Sequence, residues 1–273
     1  MSTLKVPILR VEGAKSQTII DSVAIEEPLE IRLRFWEDSG WVEKPVSITM
    51  RTPSDDEALA AGFLYNEGII QAAHIDGIKT EADNTVIIKL KADVRPDLQK
   101  LQRNFYTTSS CGVCGKTSLE ALGYSHQRPN WDRNLPLLLP DFIAALPEKL
   151  ATAQPIFDQT GGLHAAGLFD WEGRLLFYAE DIGRHNAVDK ITGKALLEGH
   201  LPFRQHILVL SGRACFELLH KALAMNIPVV VAVGAPSSLA VETAQHFNQT
   251  LIGFTRQGRF NVYTGQQRLQ PLN

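Results

Sequence analysis

The sequence predicts an α/β protein with an α+β N-terminal part and a second, three-layer part built on a mixed sheet. We place a small α+β domain at residues 1–106, a flexible CxxC-carrying linker at 107–140 and an α/β domain at 141–273. Two observations support this division. Strands and helices alternate after residue 180, and the run 229–233 is apolar without alternation, which is typical of a strand covered on both faces.

The elements of the second part follow from their periodicity. We expect helices at 186–197, 215–225 and 238–248, and strands at 163–169, 174–179, 206–210, 228–233, 251–254 and 260–263. The first two strands flank a turn at 170–173 and predict an antiparallel hairpin. A helix at 141–153 precedes them, and Pro147 should break or restart it because proline lacks the amide hydrogen of the helical ladder.

The first part mixes strands with one helix. We expect strands at 17–35, 46–50 and 86–90. Between the last two, Ser54 and Glu57 have the spacing of a capping box, in which both side chains satisfy free amides at a helix start. The helix that follows carries an apolar stripe, and Gly68 lies where its C-terminal cap is expected.

Composition excludes several classes of protein. The chain has 273 residues, 44% of them hydrophobic and 21% charged, which excludes disordered and fibrous proteins. The net charge of −3 gives no general attraction to nucleic acid or to an anionic membrane. No apolar run reaches membrane-spanning length, and residues 1–10 lack the apolar core of a signal peptide, so we expect a cytoplasmic protein. Three cysteines are too few for a disulfide framework.

Three turns of the second part follow strands and precede helices, at 181–185, 211–213 and 234–238. In an open α/β sheet such turns gather at the carboxyl ends of the strands, where helix N-termini present free amides. Arginine adds bidentate donors for phosphate or carboxylate. We therefore expect a pocket for a phosphorylated ligand. The residues assigned to it are Arg184, Gly212, Arg213 and Ser237.

The strongest local motif is a CxxC pair, Cys111 and Cys114, flanked by glycines in a polar stretch. A zinc site would need about four ligands, and His126 is the only histidine nearby, so we expect no metal. A phosphate-binding P-loop is not indicated, because Ser110 stands where that motif has its first glycine. A dithiol redox site is not indicated either, because the motif does not lie in a predicted βαβ unit. A mobile sulfur-carrying loop remains, in which Lys116 favours the thiolate and residues 107–134 are flexible.

Two other residues receive plainer interpretations. Cys215, at an expected helix start, is interpreted as a small buried residue. His164 alone is interpreted as a structural histidine. Zinc deaminases carry H-x-E before P-C-x-x-C, whereas here the motif order is reversed and the glutamate is missing, so deamination chemistry is excluded.

Six segments together resemble the FdhD/NarQ family of formate dehydrogenase accessory proteins. These segments are 50–53, 61–70, 110–115, 160–164, 180–190 and 235–241. They read MRTP, AGFLYNEGII, SCGVCG, TGGLH, EDIGRHNAVDK and APSSLAV, in that order over nearly the whole chain. The sequence departs from the family pattern at Ser54, where glycine is expected, and at Cys215, where serine or threonine is usual. The second departure leaves open a third thiol near the pocket.

The resemblance implies a sulfur carrier of the sulfurtransferase type, with Cys111 carrying a persulfide and Cys114 as its partner. It implies a cysteine desulfurase as sulfur donor, formate dehydrogenase as acceptor and a homodimer. The bound substrate would be the molybdenum bis(molybdopterin guanine dinucleotide) cofactor, which guanosine diphosphate (GDP) mimics. The residues that the resemblance assigns to cofactor binding are Phe254, Thr255, Arg256, Gln257, Gly258 and Arg259.

The resemblance also implies that the second domain looks like the cytidine deaminase fold. One alternative function stays open at this point, namely a chaperone that binds the cofactor without sulfur chemistry. Both functions need the nucleotide pocket, but only the first needs Cys111.

Overall fold

The computed structural model describes residues 2–82, 84–98, 131 and 135–271. The CxxC motif and nearly all of the 107–134 segment lie outside the described residues. The described strands are β1 (Thr3–Glu12), β2 (Lys15–Ala24), β3 (Glu27–Glu37), β4 (Gly40–Arg51), β5 (Ile75–Glu81), β6 (Thr85–Leu90), β7 (His164–Asp170), β8 (Leu175–Asp181), β9 (His206–Leu210), β10 (Val229–Ala232), β11 (Thr250–Arg256) and β12 (Arg259–Thr264). The described helices are α1 (Asp56–Asn66), α2 (Pro140–Ala151), α3 (Pro155–Thr160), α4 (Arg184–Leu197), α5 (Phe216–Ala224) and α6 (Ser238–His246).

The N-terminal strands form two separate sheets. A four-stranded sheet has the order β4-β3-β6-β5, and β1 pairs only with β2 in a two-stranded ribbon. Alternate residues of β3 are buried from Leu29 to Phe35, because one face of this strand covers the core beneath α1. The ribbon lacks such a face, and Leu9 and Ile20 remain more than half exposed.

The second part is a six-stranded mixed sheet with the order β12-β11-β10-β9-β7-β8. Helices α4, α5 and α6 cover one face, where Leu208 and Val230 point, and α2 covers the other, where Val209 and Val231 point. Successive residues of the central strands are therefore all buried, which explains the unbroken apolar run of β10. The chain is thus a mixed α/β protein, as predicted. The deaminase-like fold and the domain boundaries stay predictions.

Helices α1 and α4 cross at backbone contact and join the two larger sheets. A Cβ atom on Gly62 would overlap the carbonyl oxygen of Asp189, and one on Gly193 would overlap the carbonyl oxygen of Ala58. Only glycine lets the two helix backbones approach this closely. The crossing therefore fixes how the first helix lies against the helix that begins at the candidate site.

Gly62→Ala is expected to lower the free energy of unfolding by about 1–3 kcal/mol, because the added methyl must push the helices apart. The sign is informative, since the same change in an uncrowded helix stabilises by roughly 0.5–1 kcal/mol. Urea denaturation measures the free energy of unfolding of the variant and of the wild type. Gly77→Ala, in strand β5, is the control for a methyl group added in open space, because a Cβ atom there meets nothing within 4 Å. A Gly62→Ala protein as stable as the wild type would show that the crossing is not tight.

Two local predictions were wrong. Helix α1 has Asp55 as its N-cap, without a capping side chain, because the expected partners bind elsewhere. The Ser54 hydroxyl accepts a hydrogen bond from Lys190, and the Glu57 carboxylate accepts one from Thr80. Helix α2 continues through Pro147. Its buried residues on both sides of the proline, including Ile143 and Leu150, hold the two halves to one core.

The strand predicted at 17–35 is in fact two strands, β2 and β3, which belong to different sheets, and β4 begins at Gly40 rather than at 46. Strands β1 and β5 and helix α3 were not predicted. The strands predicted after residue 160 and the helices α4, α5 and α6 agree with the structure to within a few residues. Gly68 follows α1 with a φ of 69°, as a C-terminal glycine cap requires. Strands β7 and β8 form the predicted antiparallel hairpin. None of the helices in the described part of the chain combines the length and the apolarity that a bilayer span demands.

Candidate functional site

Four strands of the six-stranded sheet end at one edge. Strands β8 and β9 are both antiparallel to β7, while β9, β10 and β11 run parallel to one another. Their carboxyl ends therefore meet on the same side, together with the start of β7 at His164. Helices α4, α5 and α6 begin directly after three of these ends, so their N-termini surround the edge.

Backbone hydrogen bonds connect the turns along this edge. The Ser211 amide donates to the carbonyl of Ala165 at 3.0 Å, and the Gly234 amide donates to the carbonyl of Gly212 at 2.9 Å. The Phe254 amide then donates to the carbonyl of Gly234 at 3.1 Å. The pairing of His164 with Asp181 adds the turn at 181–185. We call this continuous surface, formed by His164 and the turns at 181–185, 211–213 and 234–238 together with Phe254, the strand edge.

Positive charge accumulates at the strand edge. Burial lowers the pKa of His164, and the positive charges of Arg184, Arg213 and His185 lower it further against the opposing charge of Asp181. The buried Nε of Arg184 has no hydrogen-bond partner among the described residues. A guanidinium donor without a partner, beside a helix N-terminus, suits a phosphate or carboxylate group. The His164 ring lies beside Gly212 at this edge, and its interpretation as a structural histidine stays a prediction.

A compact cluster of three side chains lies at the same edge. His185 Nε2 is 3.2 Å from Cys215 Sγ and 2.8 Å from Glu217 Oε2. Burial alone would lower the pKa of His185, but its hydrogen bonds to Cys215 and Glu217 outweigh burial and raise that pKa to about 9. Burial opposes ionisation of the Cys215 thiol, yet the hydrogen bond and charge of His185 bring its pKa below the ordinary value.

The interpretation of Cys215 as a small buried residue is only partly confirmed, because the side chain packs against the core of the six-stranded sheet but is not fully buried. Cys215 is the N-cap residue of α5. His185, 30 residues earlier in the chain, lies at the start of α4 and contacts it because both helices begin at the strand edge. The cluster also has the composition of a metal site, since its three ligand atoms lie within 4.8 Å of one another. The absence of a metal stays a prediction.

The structure places the predicted cofactor-binding residues in two groups. Gly212, Arg213 and Phe254 lie on the strand edge, with Phe254 held at a positive φ of 54° beside the turn of Gly234. Thr255 follows with 1% exposure, and its hydroxyl has no hydrogen-bond partner among the described residues.

The second group extends beyond the edge. Arg256 and Arg259 are exposed and lie opposite each other where β11 turns into β12, with Gln257 and Gly258 at the tip. Ser237 caps helix α6, because its hydroxyl accepts a hydrogen bond from the Ala240 amide at 3.2 Å. Ligand binding by these residues stays a prediction.

The sequence model of the FdhD/NarQ family matches residues 24–270 of this chain. The chain belongs to the FdhD/NarQ family. The relatives agree with this assignment. A protein of Streptomyces avermitilis named Sulfur carrier protein FdhD is 46% identical over 276 residues, covering 96% of this chain and 94% of the relative. One of Picrophilus torridus with the same name is 44% identical over 262 residues, covering 94% and 95%.

A solved structure also resembles this FdhD/NarQ chain. It is the crystal structure of a formate dehydrogenase accessory protein from Desulfotalea psychrophila. The two superpose with a TM-score of 0.74 at 25% sequence identity, over 99% of this chain and 100% of the other. The likeness spans both the four-stranded and the six-stranded sheet.

Two of the motifs that indicate the FdhD/NarQ family bind each other in the structure. The buried ammonium of Lys190 lies 2.7 Å from Asp181 Oδ2 and donates to the carbonyl of Thr52 at 3.0 Å. The other oxygen of Asp181 accepts the amide of Gly183 at 2.8 Å and the side-chain amide of Asn186 at 2.9 Å. This network fixes the turn that presents Arg184 and His185, so its residues position the site rather than form it.

Proposed function

We propose that this chain is a sulfur carrier that serves formate dehydrogenase, acting as a homodimer. Cys111 takes sulfane sulfur from a cysteine desulfurase and passes it to the molybdenum bis(molybdopterin guanine dinucleotide) cofactor bound at the strand edge. The names of the FdhD relatives support the carrier function. The positively charged strand edge supports binding of the cofactor.

The strand edge is the observation on which this proposal depends. A guanine nucleotide diphosphate carries two phosphate groups, and the edge offers backbone amides at three helix starts together with Arg184 and Arg213. Within the described part of the chain, the Nε of Arg184 and the hydroxyl of Thr255 have no hydrogen-bond partner, so both remain able to donate to such a ligand. The glycines at 212 and 234 let the turns approach closely, because a Cβ atom on Gly234 would lie 2.9 Å from the backbone of Arg213.

The sulfur step needs no external oxidant. A Cys111 thiolate attacks the outer sulfur of the desulfurase persulfide, the sulfur–sulfur bond of that persulfide breaks, and the desulfurase cysteine leaves as a thiolate. Sulfane sulfur thus changes partner without net oxidation. For delivery, the thiolate of Cys114, three residues later in the sequence, would attack the Cys111 sulfur. The persulfide bond would break, the outer sulfur would leave as hydrosulfide for the cofactor, and the two electrons would come from formation of a Cys111–Cys114 disulfide, which a thiol reductant reopens.

Peptide mapping tests the carrier function. After incubation with a cysteine desulfurase and cysteine, we expect the peptide that contains Cys111 to gain the mass of one sulfur atom. Persulfide formation should disappear when the desulfurase is omitted. A protein that binds GDP but never gains sulfur at Cys111 would contradict the proposal and favour the cofactor-binding chaperone.

Arg213→Ala is expected to weaken GDP binding at least about tenfold, equal to roughly 1.4 kcal/mol, because a charge-assisted pair with phosphate is lost. Arg256→Ala should act in the same direction. Calorimetric titration measures both. Arg10→Ala, an exposed arginine of the β1–β2 ribbon, is the matched control and should bind GDP like the wild type. Unchanged affinity in both Arg213→Ala and Arg256→Ala would place the nucleotide elsewhere.

A further inference from the structure

The side chain of Cys215 has the surroundings of a reactive thiol. His185 Nε2 lies 3.2 Å from its sulfur, and the Leu218 amide near the start of α5 also lowers the pKa of the thiol. Helix α5 is nine residues long and carries a partial positive charge at this end. Each of these features favours a thiolate, which is the nucleophilic form of cysteine.

The distances fit a shared proton better than a bound metal ion. One N–H at His185 Nε2 can serve both Cys215 Sγ at 3.2 Å and Glu217 Oε2 at 2.8 Å. Tetrahedral zinc would separate these ligand atoms further, to about 3.6 Å for nitrogen and sulfur and about 3.3 Å for nitrogen and oxygen. The geometry therefore fits an imidazolium whose N–H lies between the thiolate and the carboxylate.

We propose that Cys215, with His185 and Glu217, is a second sulfur-accepting site of this protein, which takes sulfane sulfur from a persulfide. In this step the Cys215 thiolate attacks the outer sulfur of the donor persulfide, and the donor's sulfur–sulfur bond breaks. A Cys215 persulfide forms, and the leaving thiolate takes the imidazolium proton of His185. Sulfane sulfur changes partner, so no oxidant or reductant is consumed.

The position of Cys215 connects this site to the nucleotide pocket. Cys215 follows Arg213 by two residues, and Ala214 between them bridges the turn of Pro236. The thiol thus borders the strand edge to which we assign the phosphorylated ligand. This inference rests on the proposed carrier function, because only a protein that handles persulfides has use for a second acceptor thiol beside its bound substrate.

Sulfur transfer to Cys215 can be measured in isolation. The double variant Cys111→Ser/Cys114→Ser leaves Cys215 as the only thiol of the chain. Incubated with glutathione persulfide, this variant should gain one sulfur atom at Cys215, as seen by intact mass and peptide mapping. Adding His185→Gln should slow the gain at least about tenfold, because more of the thiol is then protonated at neutral pH.

A pH profile separates activation from simple exposure. In the same background, alkylation of Cys215 by iodoacetamide should persist to lower pH than alkylation of an ordinary thiol, whose pKa is about 8.5, and His185→Gln should shift the profile toward that ordinary thiol. The charged groups facing the thiol are His185 and Glu217, while Arg184 and Lys221 act on Glu217. His200→Gln is the control, because that histidine is exposed and pairs with Glu198.

The outcomes distinguish this second acceptor site from the proposed sulfur-carrier function. Sulfur on Cys111 of the wild type, with none on Cys215 of the double variant, overturns the second site and leaves the carrier function intact. Equal rates with and without His185→Gln also overturn it. Stoichiometric zinc that resists dialysis and is lost in His185→Gln, without sulfur gain, would overturn it in favour of a metal centre.

Discussion

Cys111→Ala is expected to abolish support of formate dehydrogenase. In cells that lack their own carrier, activity should fall to the level seen without the protein, because alanine offers no nucleophile to hold the sulfur atom. The purified variant should still bind GDP with wild-type affinity, since the strand edge is built from residues between His164 and Phe254 and does not include the CxxC motif. Formate-dependent dye reduction and calorimetry measure the two properties.

This pair of measurements separates the two candidate functions. A sulfur carrier loses activity and keeps nucleotide binding, whereas a chaperone without sulfur chemistry keeps both. Arg10→Ala is the activity control, because its exposed side chain lies in the β1–β2 ribbon. Full formate dehydrogenase activity with Cys111→Ala would refute the carrier function.

Lys190→Met is expected to lower the free energy of unfolding by about 3–5 kcal/mol, because it leaves the Asp181 carboxylate buried without its counter-charge. Both side chains have 0% exposure and are 2.7 Å apart. The ammonium also donates to backbone of β8 and to Thr52, so its loss leaves further buried acceptors without a donor. Urea denaturation followed by circular dichroism measures the change.

The exposed pair of Lys44 and Glu37 provides the control. Its side chains are 43% and 44% exposed, so solvent screens the interaction and Lys44→Met should cost less than about 1 kcal/mol. The double variant Lys190→Met/Asp181→Asn should recover part of the loss, because no uncompensated charge remains. Equal effects of Lys190→Met and Lys44→Met would mean that burial does not set the strength of this pair.

The second part of the fold could be predicted because its strands and helices carry strong periodic signals. Strand β9 occupies 206–210 as predicted. It lies inside the sheet with apolar residues on both faces, so its sequence is a continuous apolar run after His206. Strand β1 could not be predicted in this way. Its burial pattern is mostly exposed on both sides, so no alternation marks it. The prediction that Pro147 breaks its helix was wrong for a related reason, because the packing that keeps this helix intact comes from residues distant in the sequence.

The sequence predicted that the turns of the second part meet, but it did not predict the contacts between their side chains. Because parallel strands end together, the turns that carry Arg184 and Arg213 were expected at one edge of the sheet, and both turns lie there. The contact of His185 with Cys215 needs the exact offset of two helix starts, which local sequence does not contain. The sequence signal that was missed is an ionisable residue at each of two predicted helix starts, namely His185 and Cys215. For the buried pair of Lys190 and Asp181, the sequence showed only that two charged residues lie in one family motif.

The glycine crossing of α1 and α4 has a thermodynamic consequence for ligand binding. The crossing, together with the buried pair of Lys190 and Asp181, leaves neither large sheet able to lose its packing without disturbing the other. A ligand that binds only the folded strand edge therefore stabilises the whole molecule by RT ln(1 + [L]/Kd), where [L] is the free ligand concentration. The four-stranded sheet, which contributes no residue to the candidate pocket, shares in that stabilisation, so its melting reports on occupancy of a site it does not touch.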